Sequence, residues 1–133
     1  MKAINLHPLF KLIDYEFKDR KNILNALTHR SVGANNNERL EFLGDSVLNF
    51  VIAEALFHRY PSSLEGDLSR LRAYLVKGER LAEIARELSL GDYVQLGQGE
   101  LRSGGFRRDS ILADCVEAML AAVLLDAGFD ACK

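Results

Sequence analysis

Residues 35–60 constrain the fold of this chain more than any other stretch. Apolar residues recur there on nearly every face of a helix, asparagines precede them as candidate N-caps, and Pro61 follows as a stop signal. A helix that is apolar on nearly all sides is expected inside a protein. We therefore predict a long buried helix from Glu38 to about Arg59, around which the other helices are organised.

Three acids interrupt this apolar pattern in its first two turns. Glu38, Glu41 and Asp45 are spaced by three and four residues, so they lie on one helix face within roughly 60° at ~100° per residue. Like charges at these spacings destabilise an isolated helix, and burying them unpaired costs far more. A positive group is therefore expected against this face, either a divalent cation or an Arg or Lys from elsewhere in the chain.

A second apolar helix, predicted over residues 111–127, carries a similar pair of acids. Asp109 or Ser110 is its candidate cap, and Asp114 and Glu117 follow at i,i+3. We expect this helix to be buried as well and to pack face to face with the first. The packed helices would then gather four carboxylates into one cluster: Glu41, Asp45, Asp114 and Glu117.

Oxygen ligands of this kind favour hard cations such as Mg²⁺, Mn²⁺ or Ca²⁺. A carboxylate-bridged di-iron protein would need a Glu-x-x-His motif on two helices. The histidines, which are His7, His29 and His58, are not in that register. The sequence thus favours an Mg²⁺ site completed by water and substrate phosphates. Structural ion pairs of Arg39 with Glu41, or of Arg108 with Asp114, are the alternative.

The remainder of the sequence predicts a single all-α domain over residues 1–133. Shorter helices are predicted around residues 8–12, 23–27, 67–76 and 79–88, and residues 93–96 are the one β-like fragment. The formal net charge is only −2, so no strong overall field indicates a nucleic-acid or membrane partner.

Composition and cysteine usage predict a reduced, cytoplasmic protein without a membrane span. The longest apolar run, residues 118–125, is too short to cross a bilayer, and Lys11, Asp14 and Glu16 interrupt any signal-peptide pattern. Cys115 and Cys132 have no metal-binding or redox spacing.

Residues 97–108 form a glycine-rich, basic connector between predicted elements. It is either a surface loop with solvated arginines or a segment whose backbone approaches phosphates. In the second case Arg102, Arg107 and Arg108 would be the phosphate-binding anchors.

Five segments together resemble the ribonuclease III family, in its bacterial class with a single nuclease domain. They are ERLEFLGDSVL at residues 38–48, LTHRS at 27–31, EGDLS at 65–69, GGFRR at 104–108 and DCVEA at 114–118. The resemblance covers essentially the whole chain. It implies an all-helical ribonuclease III endonuclease-domain-like fold that cuts double-stranded RNA.

The resemblance also implies roles for individual residues. Mg²⁺, which Mn²⁺ can replace, would be held by Glu41, Asp45, Asp114 and Glu117, with Asp45 and Glu117 catalytic. Glu38 and Glu65 match two supporting acidic positions at the edge of the site. In a two-metal reaction, one ion generates hydroxide and the other holds the departing 3′-oxygen. The family implies 5′-phosphate and 3′-hydroxyl products, and ribosomal precursor and messenger RNA as substrates.

A homodimer is a further implication, so that one nuclease centre addresses each strand. Phe42 suits either the core of a monomer or a knob that enters the partner subunit. Bacterial relatives normally continue into a double-stranded-RNA-binding domain, which the sequence up to Lys133 does not include, so weak intrinsic RNA affinity is expected. A non-cleaving RNA-binding or interaction module is the alternative, and the presence of all four acids disfavours it.

Overall fold

The computed structural model describes residues 6–13 and 15–129, apart from the side chain of Phe106. Asp14 and Cys132 therefore lie outside the described residues. The all-α prediction is confirmed, since the described residues contain helices and no β-strand. The α-helices are α1 His7–Ile13, α2 Arg20–Ala26, α3 Glu38–Arg59, α4 Glu65–Val76, α5 Gly78–Glu87, α6 Gln98–Arg102 and α7 Asp109–Ala127.

Helix α7 is the centre of the hydrophobic core. Eleven of its 19 residues are buried, and they include residues on every side of the helix. Helices α2, α3 and α5 pack around it, as expected for a helix that is apolar all round. The sequence prediction of a buried helix here is correct, although α7 begins at Asp109 rather than after it.

Helix α3 has the predicted bounds but not the predicted burial. Only Gly44, Val47 and Leu56 are buried, because the helix packs along α7 with one face. Phe42, Phe50 and Phe57 remain on its exposed surface. The prediction that α3 forms the interior of the chain is therefore wrong for a single copy.

The start of α3 is held by a different asparagine interaction from the predicted cap. Asn37 occupies the N-cap position without a side-chain capping bond. Its amide instead donates to the Ala26 carbonyl oxygen (3.2 Å) and to Cys115 Sγ (3.7 Å), while the Asn36 Oδ1 accepts from the Glu38 N–H (3.0 Å). Asn37 thus ties α2, α3 and α7 together at one point.

Other helices begin earlier than their sequence patterns predicted. Helix α2 begins at Arg20 because the Asp19 carboxylate accepts from the Lys21 N–H (2.9 Å), and α4 begins at Glu65. In α7, neither Asp109 nor Ser110 is the cap. Asp109 is the first helical residue, and its carboxylate pairs with Arg86.

The carboxylate of Asp126 fastens the end of α7 to the segment before α2. It accepts hydrogen bonds from the Tyr15 hydroxyl, the Lys18 N–H (3.0 Å) and the Asp19 N–H (3.1 Å). The hydrogen bond from Tyr15, followed by that from Lys18, lowers the pKa of Asp126. These bonds hold α1 and α2 against the C-terminal half of the central helix.

The basic connector is more ordered than a surface loop. It contains α6 and a 3₁₀ turn over Gly105–Arg107. The preceding β-like fragment makes a single parallel bridge between Thr28 and Gln95, rather than a strand. None of the helices in the described part of the chain is long and apolar enough to span a bilayer.

Candidate metal centre

The two longest helices touch backbone to backbone where the acids lie. A Cβ atom placed on Gly44 would be 1.6 Å from the carbonyl oxygen of Glu117. Only a glycine allows α3 and α7 to approach so closely. Glu41 lies one turn before Gly44, so this contact sets the separation of the acids on the two helices.

Three carboxylates converge at this crossing. Glu41, Asp114 and Glu117 each offer one oxygen, and these oxygens all lie within 4.8 Å of one another. Glu117 is only 9% exposed, although it carries a charged group. Because oxygens this close share a single small volume, the three side chains can face one hard cation.

Burial of the carboxyl groups, with a smaller contribution from neighbouring acids, raises their pKa values in the protein alone. Burial, assisted by the nearby Asp114 charge, raises the pKa of Glu41 to about 7. Burial and a hydrogen bond shared with Asp45 raise the pKa of Glu117 to about 8. Burial also raises the pKa of Asp114, against the lowering effects of its hydrogen bond with Glu41 and of nearby His29 and Arg30. A bound cation would reverse this penalty.

Asp45 stands beside this group rather than within it. Its residue is exposed, but its carboxyl group shares the hydrogen bond with Glu117. The Asn49 amide donates to the Asp45 carbonyl oxygen (2.9 Å) and to its Oδ1 (3.4 Å). The structure therefore brings together all four predicted carboxylates, three tightly and Asp45 at the solvent side.

A cleft of about 240 Å³ opens onto Glu41 and Asp114. Its other walls combine positive and polar groups with two acids: His29, Arg30, Asn37, Glu38, Glu100 and Arg108. A phosphate group entering this cleft would meet cationic side chains next to the carboxylate cluster.

The two predicted supporting acids lie in different places. Glu38 is exposed at the edge of the cleft. Glu65 begins α4 and accepts a hydrogen bond from the Ser69 hydroxyl (2.8 Å). It lies beside Ala53 and Phe57, near the far end of α3, so the structure does not bring it to the cluster of its own chain.

The three predicted phosphate anchors also differ in position. Arg108 lines the cleft and pairs with Glu100 (3.1 Å) and with the Ser103 hydroxyl (3.1 Å). Arg102 ends α6 and Arg107 lies in the 3₁₀ turn, and both are exposed. Because Arg108 pairs with Glu100, it is not the ion-pair partner of Asp114 that the sequence left open.

No salt bridge in the described part of the chain involves the four carboxylates of the cluster. Salt bridges are formed instead by other acids, among them Asp67, Glu79, Glu83, Glu100 and Asp109. The alternative pairing of Glu41 with Arg39 is therefore absent as well. The described residues therefore supply no ion-pair partner to the four acids, although His29 and Arg30 are near enough to oppose the rise that burial causes in the pKa of Asp114.

Sequence reasoning missed four polar residues of the cleft: Arg30, Asn37, Glu100 and Ser110. The sequence analysis considered His29 only as a histidine that is out of register for a di-iron site, and it did not place this residue in the cleft. The one sequence feature that could have pointed to His29 and Arg30 is the LTHRS segment, which is part of the family resemblance. The residue types in this segment do not by themselves indicate a role. An isolated acid within a basic connector is the signal for Glu100.

Cys115 has the passive role that its lack of metal or redox spacing predicted. It is completely buried, and burial, with a smaller effect from Asp114, raises the pKa of its thiol to about 12. A thiol in this state is unreactive at neutral pH.

Phe42 projects from α3 on the side away from the protein's core. Its side chain is 78% exposed and borders an open groove of about 1010 Å³ together with Leu40, Leu43 and Leu125. The groove is also lined by asparagines and by Glu38 and Arg39, so the apolar residues form only part of its surface, and an aromatic ring this exposed is a candidate contact for a partner. Phe42 is therefore not a core residue of the single chain.

The fold and site together define an all-helical domain with a cluster of carboxylates, able to hold a metal ion, at a helix crossing. Comparison with known proteins identifies its relatives, since the family description Ribonuclease-III-like matches residues 19–133. The chain belongs to the ribonuclease-III-like family.

Several relatives named Ribonuclease 3 are similar over nearly all of this chain. The protein of Marinomonas sp. (strain MWYL1) is 66% identical over 125 residues, which are 94% of this chain and 55% of the relative. That of Legionella pneumophila (strain Lens) is 62% identical, over 98% of this chain and 58% of the relative. The chain thus spans a little over half the length of these relatives.

A solved structure confirms the fold. The nuclease domain of ribonuclease III from Campylobacter jejuni superimposes with a TM-score of 0.93 and is 47% identical, covering 95% of this chain and 89% of that one. That structure is described for flexibility in a region involved in dimer formation.

Proposed function

We propose that this chain is the catalytic domain of a metal-dependent endoribonuclease that cleaves double-stranded RNA and leaves 5′-phosphate and 3′-hydroxyl ends. The observation that carries the proposal is the convergence of Glu41, Asp114 and Glu117, whose oxygens lie within 4.8 Å beside a partly cationic cleft. Its family membership supports the same reaction.

The donor set fits Mg²⁺, with Mn²⁺ as a substitute. Glu41, Asp114 and Glu117 would hold the metal together with Asp45, and the open cleft leaves space for water and phosphate ligands. When bound, divalent ions supply an activated water and charge stabilisation of the leaving oxygen. No histidine or cysteine nucleophile is required.

The protein's own groups would orient the phosphodiester. Arg30 and Arg108 line the cleft and are suited to non-bridging phosphate oxygens. The Glu100 carboxylate holds Arg108 (3.1 Å), so that its guanidinium is already positioned when RNA arrives. Backbone contact between Gly44 and Glu117 keeps the ligand acids in register.

A homodimer would allow the two strands of a duplex to be cut at paired sites. Exposure of Phe42, Phe50 and Phe57 on one helix supports burial of this face against a second copy. The dimer formation described for the Campylobacter jejuni nuclease domain is consistent with this assembly. Each duplex strand would then face one cluster of carboxylates.

The biological substrates of the proposed enzyme are ribosomal precursor RNA and messenger RNA duplexes in the cytoplasm. The four relatives from Legionella pneumophila and the one from Marinomonas, all named Ribonuclease 3, support the ribonuclease part of this assignment. The two RNA classes are those that the resemblance of the sequence to the family implies. Completely buried Cys115 suits a reducing compartment.

One assay tests the proposal against its alternatives. The purified protein is incubated with long duplex RNA in Mg²⁺ and, separately, in EDTA. We expect short duplex products with 5′-phosphate ends in Mg²⁺ and intact RNA in EDTA. Binding without cleavage in Mg²⁺ would indicate a non-cleaving RNA-binding module. The absence of both binding and cleavage would contradict a role in RNA metabolism.

A further inference from the structure

The LTHRS segment, residues 27–31, is held by several hydrogen bonds to residues 95–97. The His29 N–H donates to the Gln95 carbonyl oxygen (2.9 Å), and the Gln95 N–H donates to the Leu27 carbonyl oxygen (2.7 Å). The Gly97 N–H donates to Ser31 Oγ (2.8 Å). A Cβ on Gly97 would be 2.4 Å from the Ser31 carbonyl oxygen, so the two segments are in direct backbone contact.

This bracing fixes the tautomer of the His29 imidazole. The Ser31 N–H donates to His29 Nδ1 (3.1 Å), so Nδ1 is an acceptor and carries no proton. The Ser31 hydroxyl lies 2.8 Å from the same nitrogen and must therefore donate to it. The proton of the neutral ring consequently resides on Nε2.

The Nε2–H group makes no hydrogen bond within the described residues, although carboxylates line the same cleft and Asp114 interacts electrostatically with the ring. His29 lines the cleft that opens onto Glu41 and Asp114. Among the described residues, its side-chain hydrogen bonds are those to Ser31 through Nδ1. A half-buried, oriented donor beside the proposed metal centre is thus available to a ligand.

We propose that His29 is a substrate-binding residue, which donates its Nε2–H to a non-bridging phosphate oxygen of the RNA backbone beside the scissile bond. The inference rests on the proposed function and assigns it one further residue. Four acids line this cleft beside Arg30 and Arg108, namely Glu38, Glu41, Glu100 and Asp114. With a divalent cation bound to the acids, the cation and the two arginines together would favour an anion, and a phosphate oxygen is the acceptor that suits such a cleft.

A metal-ligand role for His29 is inconsistent with the same hydrogen bonds. Coordination requires an unprotonated ring nitrogen. Nδ1 is occupied by two donors from Ser31, and Nε2 holds the proton. Metal binding through this ring would break the interactions that the braced loop provides.

Two substitutions separate substrate binding from loop bracing. In His29→Asn, the side-chain oxygen can replace Nδ1 as acceptor for Ser31, while the donor at the Nε2 position is removed. In His29→Gln, an amide N–H can occupy the Nε2 position, while the Nδ1 acceptor is removed. His58→Asn is the matched control, since His58 is exposed at the far end of α3.

The full chain and these variants are compared by steady-state cleavage of duplex RNA in Mg²⁺. We expect kcat/KM to fall about 10- to 100-fold in His29→Asn, mainly through KM, as for loss of a hydrogen bond to a charged group. His29→Gln should recover most of this loss, and His58→Asn should match the unmodified chain. Thermal unfolding and Mn²⁺ binding without RNA, followed by electron paramagnetic resonance, should be unchanged in His29→Asn.

The opposite order of effects would overturn the inference. If His29→Asn cleaves as well as the unmodified chain while His29→Gln is impaired, the residue only braces the loop. Weaker Mn²⁺ binding in both variants would indicate a metal ligand instead. An unmodified chain that neither binds nor cleaves duplex RNA would overturn the proposed function itself, which is a distinct result.

Discussion

At the residue scale, the site consists of carboxyl groups that retain protons when no cation is present. Glu41 has a pKa of about 7 and Glu117 of about 8, against ordinary values of 4.5. Such groups bind more protons in the folded protein than in the unfolded chain across this interval. Stability linked to them is therefore present at low pH and is lost as pH rises.

This linkage predicts how the metal-free protein responds to pH. In EDTA, the free energy of unfolding should fall between about pH 5 and pH 8, and Mg²⁺ should restore it at the upper end because the cation replaces the protons. Glu117→Gln should be more stable than the unmodified chain at pH 8 in EDTA. Urea unfolding at both pH values measures this, and a stability that rises over the interval in both proteins would contradict it.

The four acids could be predicted from sequence because helical spacing reports which side chains share a face. Glu41 and Asp45 lie on one helix, and Asp114 and Glu117 lie on another. Predicting that the four acids cluster required only the further assumption that these two helices pack face to face. The positions of His29 and Glu100 could not be predicted in this way. They reach the cleft through interactions between residues distant in sequence, such as that between Ser31 and Gly97, which no local periodicity encodes.

At the element scale, the crossing of α3 and α7 is the contact on which the site depends. Gly44→Ala would place a methyl group 1.6 Å from the Glu117 carbonyl oxygen, so the helices must separate. We expect a loss of about 1–3 kcal/mol in the free energy of unfolding, as for overpacking. Mn²⁺ affinity should fall too, since Glu41 moves away from Asp114 and Glu117.

Gly78→Ala is the matched control for this substitution. A Cβ on Gly78 has no atom within 4 Å, so the replacement should be neutral or stabilise the protein by about 0.4–1 kcal/mol. Urea unfolding compares the two variants. Equal stability of Gly44→Ala and Gly78→Ala would show that the helix crossing tolerates the extra atom.

Helix existence was predictable, whereas helix burial was only partly so. The apolar pattern correctly identified both α3 and α7, because each is a long apolar stretch between a candidate capping residue and a stop signal. The same pattern cannot distinguish an apolar face that packs in its own core from one that awaits a second chain. For this reason α7 is central as predicted, while α3 leaves Phe42 exposed.

At the scale of the whole molecule, the exposed apolar face of α3 predicts a two-fold dimer. Phe42→Ala should weaken it by about 2 kcal/mol or more, roughly 30-fold in Kd, if Phe42 is an interface anchor. Leu12→Ala, on an exposed site of α1, should leave assembly unchanged. Sedimentation velocity at micromolar protein measures both, and a monomeric unmodified chain would contradict the prediction.

Net charge predicts how the molecule binds a polyanion. Two divalent ions per chain would move the formal net charge from −2 to about +2. RNA binding should therefore be weak in EDTA and should weaken in Mg²⁺ as monovalent salt rises. The double variant Arg107→Ala with Arg108→Ala should reduce the slope of log K for RNA binding against log salt concentration. With B-form DNA as a guide, the reduction is about 0.9 for each phosphate that is no longer neutralised.

A second pair of substitutions provides the control. Lys11→Ala with Lys21→Ala removes the same charge from exposed positions on α1 and α2 and should leave the salt slope nearly unchanged. Filter binding over a range of KCl concentrations distinguishes the pairs. Equal slopes for both would show that the basic connector does not bind phosphate directly.

The most direct test of the proposed metal-dependent cleavage is the single-turnover rate for duplex RNA in Mg²⁺, compared between Glu117→Gln and Glu87→Gln. Glu87 is an exposed acid on α5, so its variant should cleave like the unmodified chain. Glu117→Gln removes a ligand charge but preserves volume, and we predict a rate at least about 100-fold lower in a folded protein. A Glu117→Gln variant that cleaves at the unmodified rate would show that the carboxylate cluster is not the metal centre of the reaction.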